Sequence, residues 1–127
     1  MSYTWTTNNN SSGSKNWISI ASSSDGEKLA ACVNGGYIYT SVNSGVNWIE
    51  QINSGSKAWI SVASNSDGTK LVGCPNNGYI YTSTNSGVNW TEQTNSGSKA
   101  WISIASSSDG IKLVACPNNG YIYTSTN

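Results

Sequence analysis

Tryptophan recurs at a fixed interval: Trp17, Trp59 and Trp101 stand 42 residues apart, and Cys32, Cys74 and Cys116 keep the same step, as do Asp25, Asp67 and Asp109. A chain that repeats itself must build the same unit each time and bury that unit's apolar face against its neighbours. Residues 59–85 and 101–127 differ at only four positions, Val62/Ile104, Asn65/Ser107, Thr69/Ile111 and Gly73/Ala115. Such near-identity is what recent amplification or deliberate design leaves. A composition rich in Ser, Asn, Thr and Gly would suit a disordered chain, but 6 Trp and 7 Tyr at regular positions argue for a packed core.

Each repeat reads as four short strands separated by turn residues. In the second repeat, residues 59–64 (WISVAS) alternate Trp59, Ser61 and Ala63 against Ile60, Val62 and Ser64. The Asp67-Gly68 pair supplies a turn, residues 70–74 a second strand, and Asn77-Gly78 a strong hairpin signal. Residues 79–83 (YIYTS) form the third strand and 88–93 (VNWTEQ) the fourth, with a polar loop leading to the next Trp. Four strands in a repeat of this length predict an all-β fold of β-propeller blades. β-Prism and tandem-sandwich arrangements are the alternatives.

The turn between the third and fourth strands carries a motif, Ser-x-Asn-x-Gly-x-x-Trp, at Ser41, Asn43, Gly45 and Trp48 and again at Ser83, Asn85, Gly87 and Trp90. It resembles the Asp-box of sialidase-type (BNR-repeat) propellers, with Asn where that family has Asp. The resemblance implies a structural turn on the face away from the sialidase active site, and it implies no activity. Physically, the Asn side chain accepts backbone N–H groups across the turn, Gly permits a left-handed residue, and Trp anchors the turn to its blade.

A third copy of the motif is divided. Written after Ser125 and Asn127, the N-terminal residues Met1–Trp5 align with Ser86–Trp90, so that Trp5 falls on Trp90. The expected layout is therefore 1–16 as a fourth strand and linker that closes a neighbouring blade, 17–58 and 59–100 as full repeats, and 101–127 as a partial third repeat. Three blades fall short of the usual four to eight. The exposed flanks predict head-to-tail assembly with itself, a six-bladed homodimer first and a nine-bladed homotrimer second. In that ring Tyr3 and Trp5 would add to the edge of strand 121–125 of the neighbouring chain.

Charge and chemistry exclude more than they specify. Formal net charge is zero, and neither a basic block nor a long apolar run is present, so nucleic acid and membrane are not expected partners. The first ten residues lack a basic start and an apolar stretch, which makes the cytoplasm the default expectation; Asn9, Asn10 and Asn89 stand in glycosylation sequons that matter only outside it. With no His and no Arg, the arginine cluster of a sialidase is excluded. The aspartates read as turn formers, the cysteines as buried thiols without metal-site spacing, and no catalytic residue, cofactor or metal is expected.

Two function classes remain: a non-enzymatic scaffold or interaction module that assembles with itself, and a multivalent carbohydrate-binding propeller. For the second, the candidate ligand residues are Lys57, Lys99, Asn76, Asn77, Asn118 and Asn119, which propeller geometry would gather on the face shared by the loop before the first strand and the second hairpin. Amide pairs suit sugar hydroxyls, and aromatic faces suit sugar C–H groups. The same Asn residues equally suit tight turns, and the aromatic residues suit packing between blades. Lys28, Lys70 and Lys112 read as solvated charges guarding apolar strands.

Overall fold

The computed structural model describes residues 1–8 and 11–126. Its strands pair antiparallel throughout and fall into three consecutive units. Unit 1 holds β1 (Trp17–Ser22), β2 (Leu29–Gly36), β3 (Ile38–Ser41) and β4 (Ile49–Gln51). Unit 2 repeats it as β5 (Lys57–Ser64), β6 (Leu71–Gly78), β7 (Ile80–Ser83) and β8 (Thr91–Gln93). Unit 3 supplies β9 (Lys99–Ser106), β10 (Lys112–Pro117) and β11 (Tyr123–Thr126). Register is common to all three: Leu29 faces Ser41, Leu71 faces Ser83 and Leu113 faces Ser125.

Strand boundaries differ from the sequence reading for reasons of hydrogen bonding, and the first strand of unit 2 starts at Lys57 rather than Trp59 because Lys57 and Ala58 pair with the preceding unit. The second strand of unit 2 continues through the hairpin tip to Gly78, because Asn76 pairs with Ala100 and Gly78 with Lys99 on the first strand of unit 3. Asn34 and Gly36 pair with Ala58 and Lys57 in the same way, so each hairpin tip staples its unit to the next. The fourth strand begins at Thr91 rather than Val88, since the backbone N–H groups of Val88 and Asn89 are held by Asn85 in the preceding turn. The loops after β4 and β8 contain short 3-10 turns, Ile52–Ser54 and Thr94–Ser96, that the polar sequence did not announce. Residues 1–8, expected as a fourth strand for a neighbouring blade, have no strand conformation in the single chain and are exposed.

The core lies between units rather than within them. One cluster joins Ala30, Cys32 and Ile38 of unit 1 to Trp59, Val62 and Leu71 of unit 2, with Trp90 packed against it. The second joins Ala63, Val72, Cys74 and Ile80 of unit 2 to Trp101, Ile104 and Ala115 of unit 3. Apart from Ala63 and Ala115, every member of the second cluster is a member of the first moved on by one repeat. Each unit thus has a trailing face, which meets the next unit, and a leading face, which meets the one before.

Candidate functional site

The box turn is a closed set of hydrogen bonds. Ser83 Oγ accepts the Gly87 N–H at 2.9 Å and donates to Asn85 Oδ1 at 3.0 Å, while Asn85 Oδ1 accepts the Asn89 N–H at 2.9 Å. Trp90 Nε1 closes the set by donating to the Gly87 carbonyl at 2.8 Å. Ser41, Asn43, Gly45 and Trp48 repeat this arrangement. Gly45 and Gly87 both have φ of +87°, where a side chain is strained, which is why the position is Gly. Of the divided copy, Ser125 lies on exposed β11 and Trp5 is 89 % exposed, while Asn127 falls outside the described residues.

Lys15, just before the first strand of unit 1, and Lys57 and Lys99, which open the first strands of units 2 and 3, are engaged by their own units. Lys57 Nζ lies 5.8 Å from the ring centre of Trp59 and 4.8 Å from that of Tyr81, and it donates to the Ser54 carbonyl. Lys99 stacks in the same way on Trp101 and Tyr123, and Lys15 on Trp17 and Tyr39. At such distances the ammonium interacts with the ring faces, so the cation is bound within its own unit. Burial, followed by the hydrogen bonds to Glu50 and Glu92, raises the phenol pKa of Tyr39 and Tyr81.

The residues expected to gather as a ligand site are distributed. Asn76 and Asn77 sit at the hairpin that pairs with Lys99, whereas Lys57 pairs with Gly36 in the preceding hairpin. Asn118 and Asn119 occupy the exposed hairpin after β10. Asn77 and Asn119 have φ of +72° and +61°, the left-handed conformation a tight hairpin needs.

The acidic residues form turns. Asp25 Oδ1 accepts the Glu27 N–H and the Ser23 hydroxyl, Asp67 Oδ1 accepts the Thr69 hydroxyl and N–H, and Asp109 Oδ1 accepts the Ser107 hydroxyl and the Ile111 N–H. These donors favour the ionised form and hold all three carboxyls below the ordinary aspartate value. A general acid requires the opposite shift. Burial pushes the thiols of Cys32 and Cys74 up to about 12, which keeps them protonated and unreactive at neutral pH. Among the described residues, no group of three or more His, Cys, Asp or Glu side chains is placed to hold a metal.

The surfaces between units carry the most organised chemistry. Val62 N–H donates to Ser19 Oγ at 3.3 Å and Ile104 N–H to Ser61 Oγ at 3.2 Å, one repeat on. At the first turns, Ser24 N–H donates to the Ser66 carbonyl at 2.7 Å and Ser66 N–H to that of Ser108 at 2.8 Å. Lys70, expected as a solvated charge, instead reaches the Asp109 carbonyl of the next unit at 3.3 Å, a role that only its recurrence beside Asp-Gly could have signalled. Trp101 breaks the pattern: its Nε1 is buried without a partner, where those of Trp17 and Trp59 donate to Gly13 and Gly55.

At the two ends of the chain these surfaces are open. Val62 and Ile104 are 4 % and 7 % exposed, and their counterpart Ile20 on the leading face of unit 1 is 65 % exposed. Ile38 and Ile80 are 0 % and 9 % exposed, and their counterpart Ile122 on unit 3 is 74 % exposed. A cleft of about 640 Å³ also opens between units 2 and 3, lined by Thr82, Ser83 and Asn95 on one side and Trp101, Leu113 and Tyr123 on the other. The equivalent place between units 1 and 2 is filled: Gly87 lies against Thr40 and Leu71, and Trp90 packs on the core.

No protein-family model and no curated protein matches the sequence. Solved structures do match. The GH74 enzyme of Niastella koreensis aligns with a TM-score of 0.69 over 87% of this chain and 16% of its own, at 23% identity. YCF48 from Cyanidioschyzon merolae aligns with a TM-score of 0.68 over 86% of this chain and 33% of its own, at 15% identity. YCF48 bound to a D1 peptide gives a TM-score of 0.70 over 89% of this chain and 38% of its own, at 13% identity. These are propeller proteins, and the likeness shows a β-propeller-like all-β fold for this chain, which spans well under half the length of each.

Proposed function

We propose that the chain is a non-enzymatic propeller module that assembles with copies of itself head to tail, its box turns belonging structurally to the Asp-box type. One observation carries this reading: the residues that make each internal interface recur, 42 positions on or back, on the two open flanks, where Ile20, Val114 and Ile122 are exposed and Trp17, Leu29 and Cys116 only partly covered. Ser103 Oγ is the counterpart of Ser19 and Ser61, and the Ile20 N–H is the counterpart of those of Val62 and Ile104. The trailing face of unit 3 therefore offers the leading face of unit 1 in a second copy the interface already used twice inside the chain. That match is heterologous, and it closes a ring when the rotation per blade allows. Two copies give six blades, within the usual range, and three give nine, beyond it.

Mass in solution tests the reading. Native mass spectrometry or light scattering is expected to give twice the 13.4 kDa of one chain, with a trimer as the second outcome. A single-chain mass at micromolar concentration overturns the proposal.

A further inference from the structure

Resting on that head-to-tail reading, we infer that residues Met1–Trp5 of a second copy seat in the cleft between units 2 and 3, with Trp5 taking the place that Trp90 takes between units 1 and 2. The argument begins with the loop that follows this segment. Lys15 Nζ donates to the Ser12 carbonyl as Lys57 does to that of Ser54, and Trp17 Nε1 donates to the Gly13 carbonyl as Trp59 does to that of Gly55. Ser11 Oγ accepts the Trp48 N–H at the place where Asn53 binds Val88 and Asn89 in the next unit. Residues 11–15 are therefore already in the position of a loop leading from a fourth strand into unit 1. At the equivalent loop into unit 2, the strand before it, β4, pairs with β3 of unit 1, the unit on the leading side of unit 2. By the same geometry, residues 1–8 belong to whatever unit stands on the leading side of unit 1, and in a head-to-tail ring that is unit 3 of another copy.

The cleft has the partners this segment needs. Ser54 Oγ and Ser96 Oγ accept the N–H groups of Ile38 and Ile80, which assigns the N–H of Ile122 to Ser12 Oγ of the second copy. Ser41 Oγ and Ser83 Oγ accept the N–H of box glycines, which assigns the N–H of Ser2 to Ser125 Oγ. Trp48 and Trp90 pack 6.3 Å and 6.2 Å, centre to centre, from Trp17 and Trp59, and Trp101 lines the cleft at the corresponding place. Trp5 itself, 89 % exposed, has the apolar area to fill the cleft. An aromatic anchor in a desolvated pocket is where interface energy concentrates.

The experiment places a photoreactive benzophenone amino acid at position 5 and mixes isotopically heavy and light full-length chains before irradiation. The expected products join a heavy and a light chain, from position 5 to the cleft residues of β7, β10 or β11. In parallel, Trp5→Ala is expected to weaken self-association at least tenfold while the far-ultraviolet circular dichroism of the dissociated chain stays unchanged. An oligomer of the expected mass with cross-links confined to one chain, cross-links mapping elsewhere, or no cross-links overturns this inference and leaves the head-to-tail reading standing. Unchanged association of Trp5→Ala overturns it as well. A monomeric wild-type mass removes both.

Discussion

At the residue scale the box serine is the most exacting position. Ser83 is 3 % exposed, and its single hydroxyl accepts the Gly87 N–H and donates to the side-chain amide oxygen of Asn85. Removing it leaves a buried donor unpaired, which costs roughly 1–3 kcal/mol. Ser83→Ala is therefore expected to lower the urea midpoint by a corresponding amount without changing its slope. An unaltered midpoint would show that Asn85 and the Trp90 indole hold the turn without the hydroxyl. The motif was legible because Ser, Asn, Gly and Trp each answer a distinct physical demand of the turn. Lys70 was not: a lysine beside an apolar strand looks solvated in a linear sequence, and its reach to the Asp109 carbonyl depends on the angle at which two units meet.

At the element scale, the first turn of every unit rests on an ionised aspartate. Asp25, Asp67 and Asp109 have folded pKa values below their unfolded ones, so each stabilises the fold when ionised. The contribution is complete above the unfolded value of about 3.9 and lost as pH falls through the depressed folded values. The turns are expected to keep their hydrogen exchange protection at pH 5 and to lose it below about pH 4, as amide exchange of Glu27, Thr69 and Ile111 would report. Loss beginning near pH 6 would implicate other groups. Strand number and order were readable from the Asp-Gly and Asn-Gly turns, as was the placement of Cys on the second strand. The extension of β6 to Gly78 was hidden because the partner that prolongs it belongs to the next unit, and sequence patterns report a strand's own faces better than its neighbours' edges.

At the scale of the whole molecule, repetition made the fold legible while leaving the ligand face obscure. Lys57 and Lys99 read in the sequence as candidate ligand residues, yet each is clasped by a Trp and a Tyr of its own unit. The flanks give the sharpest prediction here. Ile20→Asp puts a charge on the exposed leading face and is expected to abolish self-association while the chain stays folded; Val62→Asp, at the buried counterpart, is expected to unfold it. Sedimentation together with circular dichroism separates the two, and an Ile20→Asp protein that still assembles would place the contact elsewhere. The hydrogen bonds from Val62 to Ser19 and from Ile104 to Ser61 have one further consequence. In an open row of units, unit 2 has two neighbours and its companions have one, so opening starts at the ends. A closed ring has no ends. Each unit would then be held on both flanks, and fraying from the ends would give way to opening at the contact between chains.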